Sequence, residues 1–200
     1  MELTAAAAPR KKVAQKIPDS LIFEWVDGKP IYYKGYREAL KNKQNIEAAM
    51  SESTLQIWLK NRLYLLLFNA LAAKGYEIAA GELGIQFEKG KTRGADVAVY
   101  RAENFPLTKH FIATPPELVI EVDIKADLDD QKEMDYITRK LNDYIGFGVK
   151  KIIWIFTSSQ QILIATPTRP WLLVDWNSTI ETIEGATFNV GEMLSGRYQP

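Results

Sequence analysis

Residues 117–125 constrain the fold of this chain more than any other stretch. Leu118, Ile120, Val122 and Ile124 alternate there with Val119, Glu121, Asp123 and Lys125. Period-2 alternation marks a strand with one apolar face and one face that turns polar toward its end. A helical pattern covers residues 130–147, with Met134, Ile137, Leu141, Tyr144 and Ile145 on one side, and Gly148 leads into KIIWIFT at 151–157. Strand, helix and strand in succession form a crossover unit, which favours parallel pairing of the two strands. Residues 160–166 can return antiparallel across Ser158-Ser159.

The rest of the chain adds antiparallel pieces. In LIFEWVDGKPIYY, 21–33, Phe23 and Trp25 lie before Asp27-Gly28 and Ile31 and Tyr33 after it; that dipeptide supports the positive φ angles of a tight hairpin. Ser53 and Gln56 have capping-box spacing at the start of a helix that should stop at Lys74-Gly75. Its apolar residues, from Leu55 and Trp58 to Ala70, cover a wide arc, which suits burial on more than one side or a homodimer interface. Residues 76–80, 83–87 and 95–100 read as strands, and the chain after Trp171 as short strands and a terminal turn. The expected fold is α/β: a mixed sheet flanked by helices, with an N-terminal β-hairpin. Residues 1–20 read as a flexible tail and 21–200 as one domain.

Composition narrows the chemistry. There is no cysteine and one histidine, His110, which removes disulfides, thiolate metal sites and any site needing several imidazoles. No G-x-S-x-G elbow accompanies His110. The longest apolar stretch, 63–73, is interrupted by Asn69 and is shorter than the ~20 residues of a bilayer span. The N-terminal charges follow rather than precede the alanine run, the reverse of a secretory signal. These features lead to the expectation of a soluble, cytoplasmic protein. The 25 basic and 25 acidic residues cancel, so a surface for nucleic acid would have to be local.

Carboxylates and lysines remain. On a regular strand, Glu121, Asp123 and Lys125 share one face, and Asp96 stands on another mostly apolar run. Carboxylates converging at one point require a cation between them, and oxygen-only ligands suit Mg²⁺ or Mn²⁺. An exposed ion-pair ladder on an edge strand is the plainer alternative.

Asp96, followed after a gap by Asp123-Ile124-Lys125, resembles the PD-(D/E)XK nuclease pattern, with Glu121 as an alternative acid. The order of Asp-Gly hairpin, buried helix, GADVAVY, PPELVIEVDIKAD, K-x-x-x-Y and GVKKIIWIF is similar to the Uma-type endonuclease family over residues 21 to 195. The resemblance implies a restriction-endonuclease-like core and metal-dependent hydrolysis of phosphodiester bonds, in DNA by our reading. It gives Asp96 the place of the first acid and Glu121 that of the acid in the "EV" strand. The lysine is Lys125, on the acids' strand, or Lys140, which with Tyr144 matches K-x-x-x-Y at the border of that helix's apolar face. The chain departs from the pattern at Asp123, where E-x-K would place the lysine, at Ala95, which replaces proline, and at Ser53, where many relatives carry histidine. Glu47 and Glu52 are further candidates for a helix contribution to the metal. A catalytically inactive module that binds DNA or a protein partner is the alternative function.

Other motifs weigh less. Gly90-Lys91-Thr92 lacks the glycine five residues earlier that a phosphate loop needs, since Ile85 stands there. Lys89, Lys91 and Arg93 form a basic turn that could hold phosphate or simply be solvated. Lys150-Lys151 and the Arg10–Lys12 cluster read as surface charge. Tyr136, Tyr144, Trp154 and Trp171 could stack on bases, although aromatics at such spacing are usually core.

Overall fold

The computed structural model describes residues 17–197 except 27, 42–45, 126, 127 and 129. Its centre is the crossover unit expected above. Strand β5 (Leu118–Val122), helix α4 (Asp130–Phe147) and strand β6 (Lys151–Phe156) follow in order. β5 and β6 pair in parallel from Leu118 opposite Lys151 to Val122 opposite Ile155. β7 (Gln161–Thr166) and β8 (Arg169–Asp175) continue the sheet antiparallel.

On the other side of β5 lies β4 (Lys91–Arg101), antiparallel to it. β4 pairs along its other edge with β3 (Tyr76–Glu88). The two strands expected at 76–80 and 83–87 are thus one. The register slips between Ala80 and Leu83, where Gly81 adopts φ +123°; a bulge bends a strand without ending it. The N-terminal hairpin, β1 (Ile22–Val26) and β2 (Lys29–Tyr32), joins β4 through Trp25 opposite Thr92. Gly28 has the positive φ, +73°, that the turn needs, while Asp27 lies outside the described residues. The eight strands run β2-β1-β4-β5-β6-β7-β8, with β3 on the outer side of β4.

Two short helices, α1 (Tyr36–Lys41) and α2 (Ile46–Met50), occupy the lysine-containing segment that carried no expectation of structure. α3 (Thr54–Leu71) begins at Ser53 with both hydrogen bonds of the capping box. A 3₁₀ turn, Ala72–Lys74, then closes on Gly75 at φ +82°. Leu59, Leu63, Leu67 and Leu71 of α3 are buried against Val97, Val99, Ile120 and Ile153 on one face of the sheet. That spacing of four buries one stripe; Ile57, Leu65 and Phe68 stay exposed on the outer side. Tyr136, Ile137, Leu141 and Tyr144 of α4 pack on the opposite face with Val119, Ile152 and Trp154. The chain ends in a small hairpin, β9 (Ile180–Glu181) with β10 (Thr187–Phe188), and helix α5 (Val190–Leu194). These close the α3 layer with Trp176, Phe188 and Leu194. Among the described residues no helix is long and apolar enough to cross a membrane. Residues 1–16, with the Arg10–Lys12 cluster, fall outside the described residues, whereas Leu21 of the expected domain start is fully buried.

Candidate active site

The site forms where β4 changes partners. One edge of β4 is paired by β1 at Thr92 and by β5 from Val97 onward. Between those pairings, side chains meet the backbone. Gly94 N donates to Glu24 Oε1 at 3.3 Å, and the Tyr144 hydroxyl donates to the Gly94 carbonyl at 2.8 Å. Asp96 reaches across to β5, where Val122 N donates to its Oδ2 at 2.8 Å.

That arrangement brings two acids together. Val97 pairs with Ile120, so one further step of the register sets Asp96 opposite Glu121. Directly opposed residues have Cβ atoms about 5 Å apart. Both side chains are buried, Asp96 at 3% and Glu121 at 4% exposure. Burial pushes the Glu121 carboxyl up to about 7, Lys140 pulls against it, and the neighbouring Asp96 charge adds to the rise.

Each acid has its own lysine. Lys125 Nζ lies 2.7 Å from Asp96 Oδ1 and 3.1 Å from Glu82 Oε1, and it also pairs with Glu52. Lys60 of α3 stands 3.6 Å from Asp96 and pairs with Glu52 as well. Although burial opposes it, these two lysines hold Glu52 below the ordinary carboxylate range. Lys140, expected at a helix border, is 1% exposed. Its Nζ sits 2.9 Å from Glu24 and 3.2 Å from Glu121. The rings of Phe23, Tyr136, Tyr144 and Trp154 surround it at 5.5–5.9 Å. Burial works against both ammonium charges, but the facing acids win and raise Lys125 and Lys140 above the ordinary lysine value. Tyr144 completes the pocket: its hydroxyl also lies 2.6 Å from Glu121 Oε1, so its one proton is shared between that oxygen and the Gly94 carbonyl.

Asp123 is not brought to this point. β5 ends at Val122, and Asp123 takes φ +59°, which breaks the alternation that would align positions 121, 123 and 125. Its carboxylate accepts Thr157 N and Thr157 Oγ1, each at 2.7 Å, and Gln56 Nε2 at 2.9 Å. Its carbonyl accepts Trp154 Nε1 at 2.8 Å. Asp123 therefore pins a turn, and that turn carries Lys125 back toward Asp96.

The basic turn before Asp96 is also spent internally. Arg93 is 1% exposed; it pairs with Glu24 at 2.8 Å and with Asp143. Lys91 holds the other oxygen of Asp143 at 2.6 Å. This leaves Lys89 as the exposed member of the three. Tyr136, Tyr144 and Trp154 are core residues, which removes their faces from base stacking. His110 lies in an exposed loop.

A cavity of about 240 Å³ is lined by Tyr33, Lys34, Glu52, Gln56 and Lys125 among others, and reaches the acids through Lys125, which pairs with Asp96. Lys125 lines it; Lys140 does not. The paired carboxylates fit a hard divalent cation on two grounds. Their donors are all oxygen, and the rise of Glu121, set first by burial and further by the facing Asp96 charge, is a cost that a cation between the two acids relieves. Among the described residues no three acids or histidines gather as a ready-made metal cage. Two carboxylates, with water and phosphate oxygens completing the shell, are a common Mg²⁺ arrangement.

Sequence reasoning did not find Glu24 as a site residue. Between Phe23 and Trp25 it reads as the polar face of a hairpin strand, yet Lys140 and Arg93 hold it, against its burial, below the ordinary carboxylate range.

A family model described as Uma2, putative restriction endonuclease, matches residues 43–191. Among solved structures, a putative nuclease belonging to DUF820 from Anabaena variabilis ATCC 29413 aligns with a TM-score of 0.63 and 13% identity, over 86% of this chain and 89% of that one. At that identity the likeness bears on the fold alone. No curated protein matches the chain. The matched span holds Asp96, Glu121, Lys125 and Lys140, but not Glu24.

Proposed function

Because this chain belongs to the Uma2 family of putative restriction endonucleases, we propose that it is a divalent-metal-dependent endonuclease acting on DNA, with Asp96 and Glu121 as metal ligands. The observation that carries this reading is the buried, opposed pair of carboxylates at the partner change of β4, with Lys125 extending from Asp96 to an open cavity. Bound there, Mg²⁺ or Mn²⁺ supplies polarisation of the scissile phosphate and a lower pKa for the attacking water.

The chain's own groups divide the remaining work. Lys125 faces the cavity and meets the charge that develops on the phosphoryl oxygens. Lys140, enclosed behind Glu121, keeps that carboxylate aimed rather than touching substrate, and Tyr144 fixes the same oxygen. Asp123 acts by shaping the turn under Lys125.

A non-catalytic nuclease-fold module is the competing reading. It draws support from the lysine contacts, since Asp96 and Glu121 each already face an ammonium group. Supercoiled DNA with and without Mg²⁺ separates the two. The nuclease reading expects Mg²⁺-dependent nicking by the native chain and none by Asp96→Asn at an unchanged fold. Nicking by Asp96→Asn at the native rate would refute the assignment. An absence of cleavage, together with no Mg²⁺-induced rise in melting temperature, would leave the binding module.

A further inference from the structure

Lys60 is a buried charge to which the proposed mechanism gives no task. It lies in the second turn of α3 and is 7% exposed, and a buried ammonium group is tolerated only where acids meet it. Two acids do. Its Nζ pairs with Glu52 and stands 3.6 Å from Asp96 Oδ1. Lys125 arrives from the turn after β5 and meets the same two, Asp96 Oδ1 at 2.7 Å and Glu52. Asp96 has its place as a proposed metal ligand, whereas Glu52 has none.

Glu52 belongs to the short link between α2 and α3, one residue before the Ser53 cap, and to neither helix. Its side chain can therefore turn away without unwinding a helical turn. Glu52 lines the 240 Å³ cavity alongside Lys125, and the exposed Lys34 adds a further cation to the same lining. Lys60 does not line the cavity; its link to that wall is Glu52. Two lysines from separate elements thus close on one anion at the wall of an open space. A phosphate matches that anion in the sign of its charge and in its acceptor oxygens, and it forms the same charge-assisted bonds with lysine.

We propose that Lys60 and Lys125 form a phosphate cradle, and that Glu52 fills it as an internal stand-in which a phosphate of the DNA strand displaces. The inference rests on the DNA reading above and adds to it a second substrate-binding lysine and an internal competitor. A site occupied by its own chain binds its ligand less tightly, in proportion to the fraction of time it stands empty. Removing the carboxylate should therefore tighten DNA binding, and the gain should run through Lys60.

The test is a labelled DNA duplex titrated with the full chain in EDTA and followed by fluorescence anisotropy, so that affinity is read without cleavage. Glu52→Gln should bind roughly tenfold tighter than the native chain. Glu133→Gln removes the same charge beside the neighbouring cavity but frees neither lysine, and should change affinity far less. Lys60→Met added to Glu52→Gln should cancel the gain and lower the slope of log affinity against log salt by about one. Should Glu52→Gln fail to fold, as judged by its melting profile, Glu52→Asp is the second probe: one methylene shorter, it loosens the grip on both lysines and should tighten DNA binding in the same direction. Mg²⁺ affinity by calorimetry should stay within a few fold of native in either variant. An unchanged or weaker DNA affinity, an equal gain in Glu133→Gln, a gain that survives Lys60→Met, or a loss of Mg²⁺ binding, which would make Glu52 a metal ligand, would each overturn the proposal. So would stabilisation of Glu52→Gln by inorganic phosphate with no change toward DNA, since the occupant would then be a free phosphate. A native chain that nicks DNA while its affinity ignores Glu52 and Lys60 loses this proposal alone. One that binds DNA through the cradle without ever nicking keeps it and loses the nuclease reading, and one that binds no DNA loses both.

Discussion

Replacing Glu121 by glutamine should stabilise the protein while ending its activity. In the metal-free chain Glu121 is raised from the ordinary 4.5 to about 7, first because it is buried and further because Asp96 faces it, against the pull of Lys140. The folded state therefore keeps a proton that the unfolded chain releases between those values. This group's contribution to stability is greatest below pH 4.5 and is lost as pH climbs through 7. At about 1.4 kcal/mol per pH unit, that interval costs the native protein about 3 kcal/mol at pH 8. Glutamine has the same shape and no charge to bury. Tyr144 can still donate to its oxygen, and Lys140 keeps Glu24 at 2.9 Å. Glu121→Gln should thus melt about 6–12 °C above the native chain at pH 8 without metal, at about 2–4 °C per kcal/mol for a chain of this size. The two should converge by pH 4.5. Saturating Mg²⁺ should raise only the native chain, and nicking should vanish in the variant. Thermal melts from pH 4.5 to 8, in EDTA and in Mg²⁺, check this. A variant less stable than the native chain at pH 8, or a difference that does not vary with pH, would refute the reasoning.

The two lysines should fail differently. Lys125→Met is expected to lower cleavage by roughly 10²–10³-fold, the cost of losing one transition-state donor, and to lower the melting temperature by less than Lys140→Met does, because Lys60 still faces Asp96 and Glu52; a collapse of the fold would count against it. Lys140→Met leaves Glu24 and Glu121 without their shared buried ammonium, at a cost of about 3–5 kcal/mol, seen as a melting temperature roughly 6–20 °C lower. A variant that melts normally yet cannot cleave would transfer the catalytic role to Lys140. Asp123→Ala removes the acceptor of three hydrogen bonds at a left-handed turn, which should cost about 1–3 kcal/mol. Its Mg²⁺ affinity by calorimetry should stay within a few fold of native, and loss of binding would make Asp123 a ligand after all.

Much of the fold was legible because its signals are local. The alternation of residues 118–122, the amphipathic α4 and the apolar β6 declare a crossover without help from distant residues, and Ser53 with Gln56 announces α3 within a single turn. The convergence of Asp96 and Glu121 could be anticipated from chemistry, since two acids on apolar strands need a common purpose. Three features were out of reach for physical reasons. Periodicity counts residues and does not see a left-handed φ, so Asp123 looked like one more rung of a strand that had already ended. A helical wheel placed Lys140 at a border because nothing within its own helix reveals Glu24, which arrives from a strand at the far end of the chain. Arg93 and Lys91 read as a phosphate-binding turn because their partner, Asp143, lies on α4, fifty residues beyond Arg93. The last two misses are long-range pairings of charges, and such pairings leave no trace in spacing.

The gap in pairing along β4 has a consequence for how this chain can change over time. Glu24, Asp96 and Tyr144 stand in for the strand that is missing there, closing main-chain groups that would otherwise be stranded in the interior. A descendant that gave up chemistry altogether would still need them to stay folded, and would keep the look of a working nuclease at those positions. Lys125, turned to the open cavity, owes less to the scaffold. If the proposed nuclease reading holds, it is the side chain that would be free to drift first, and the one by which a working copy could be told from a retired one.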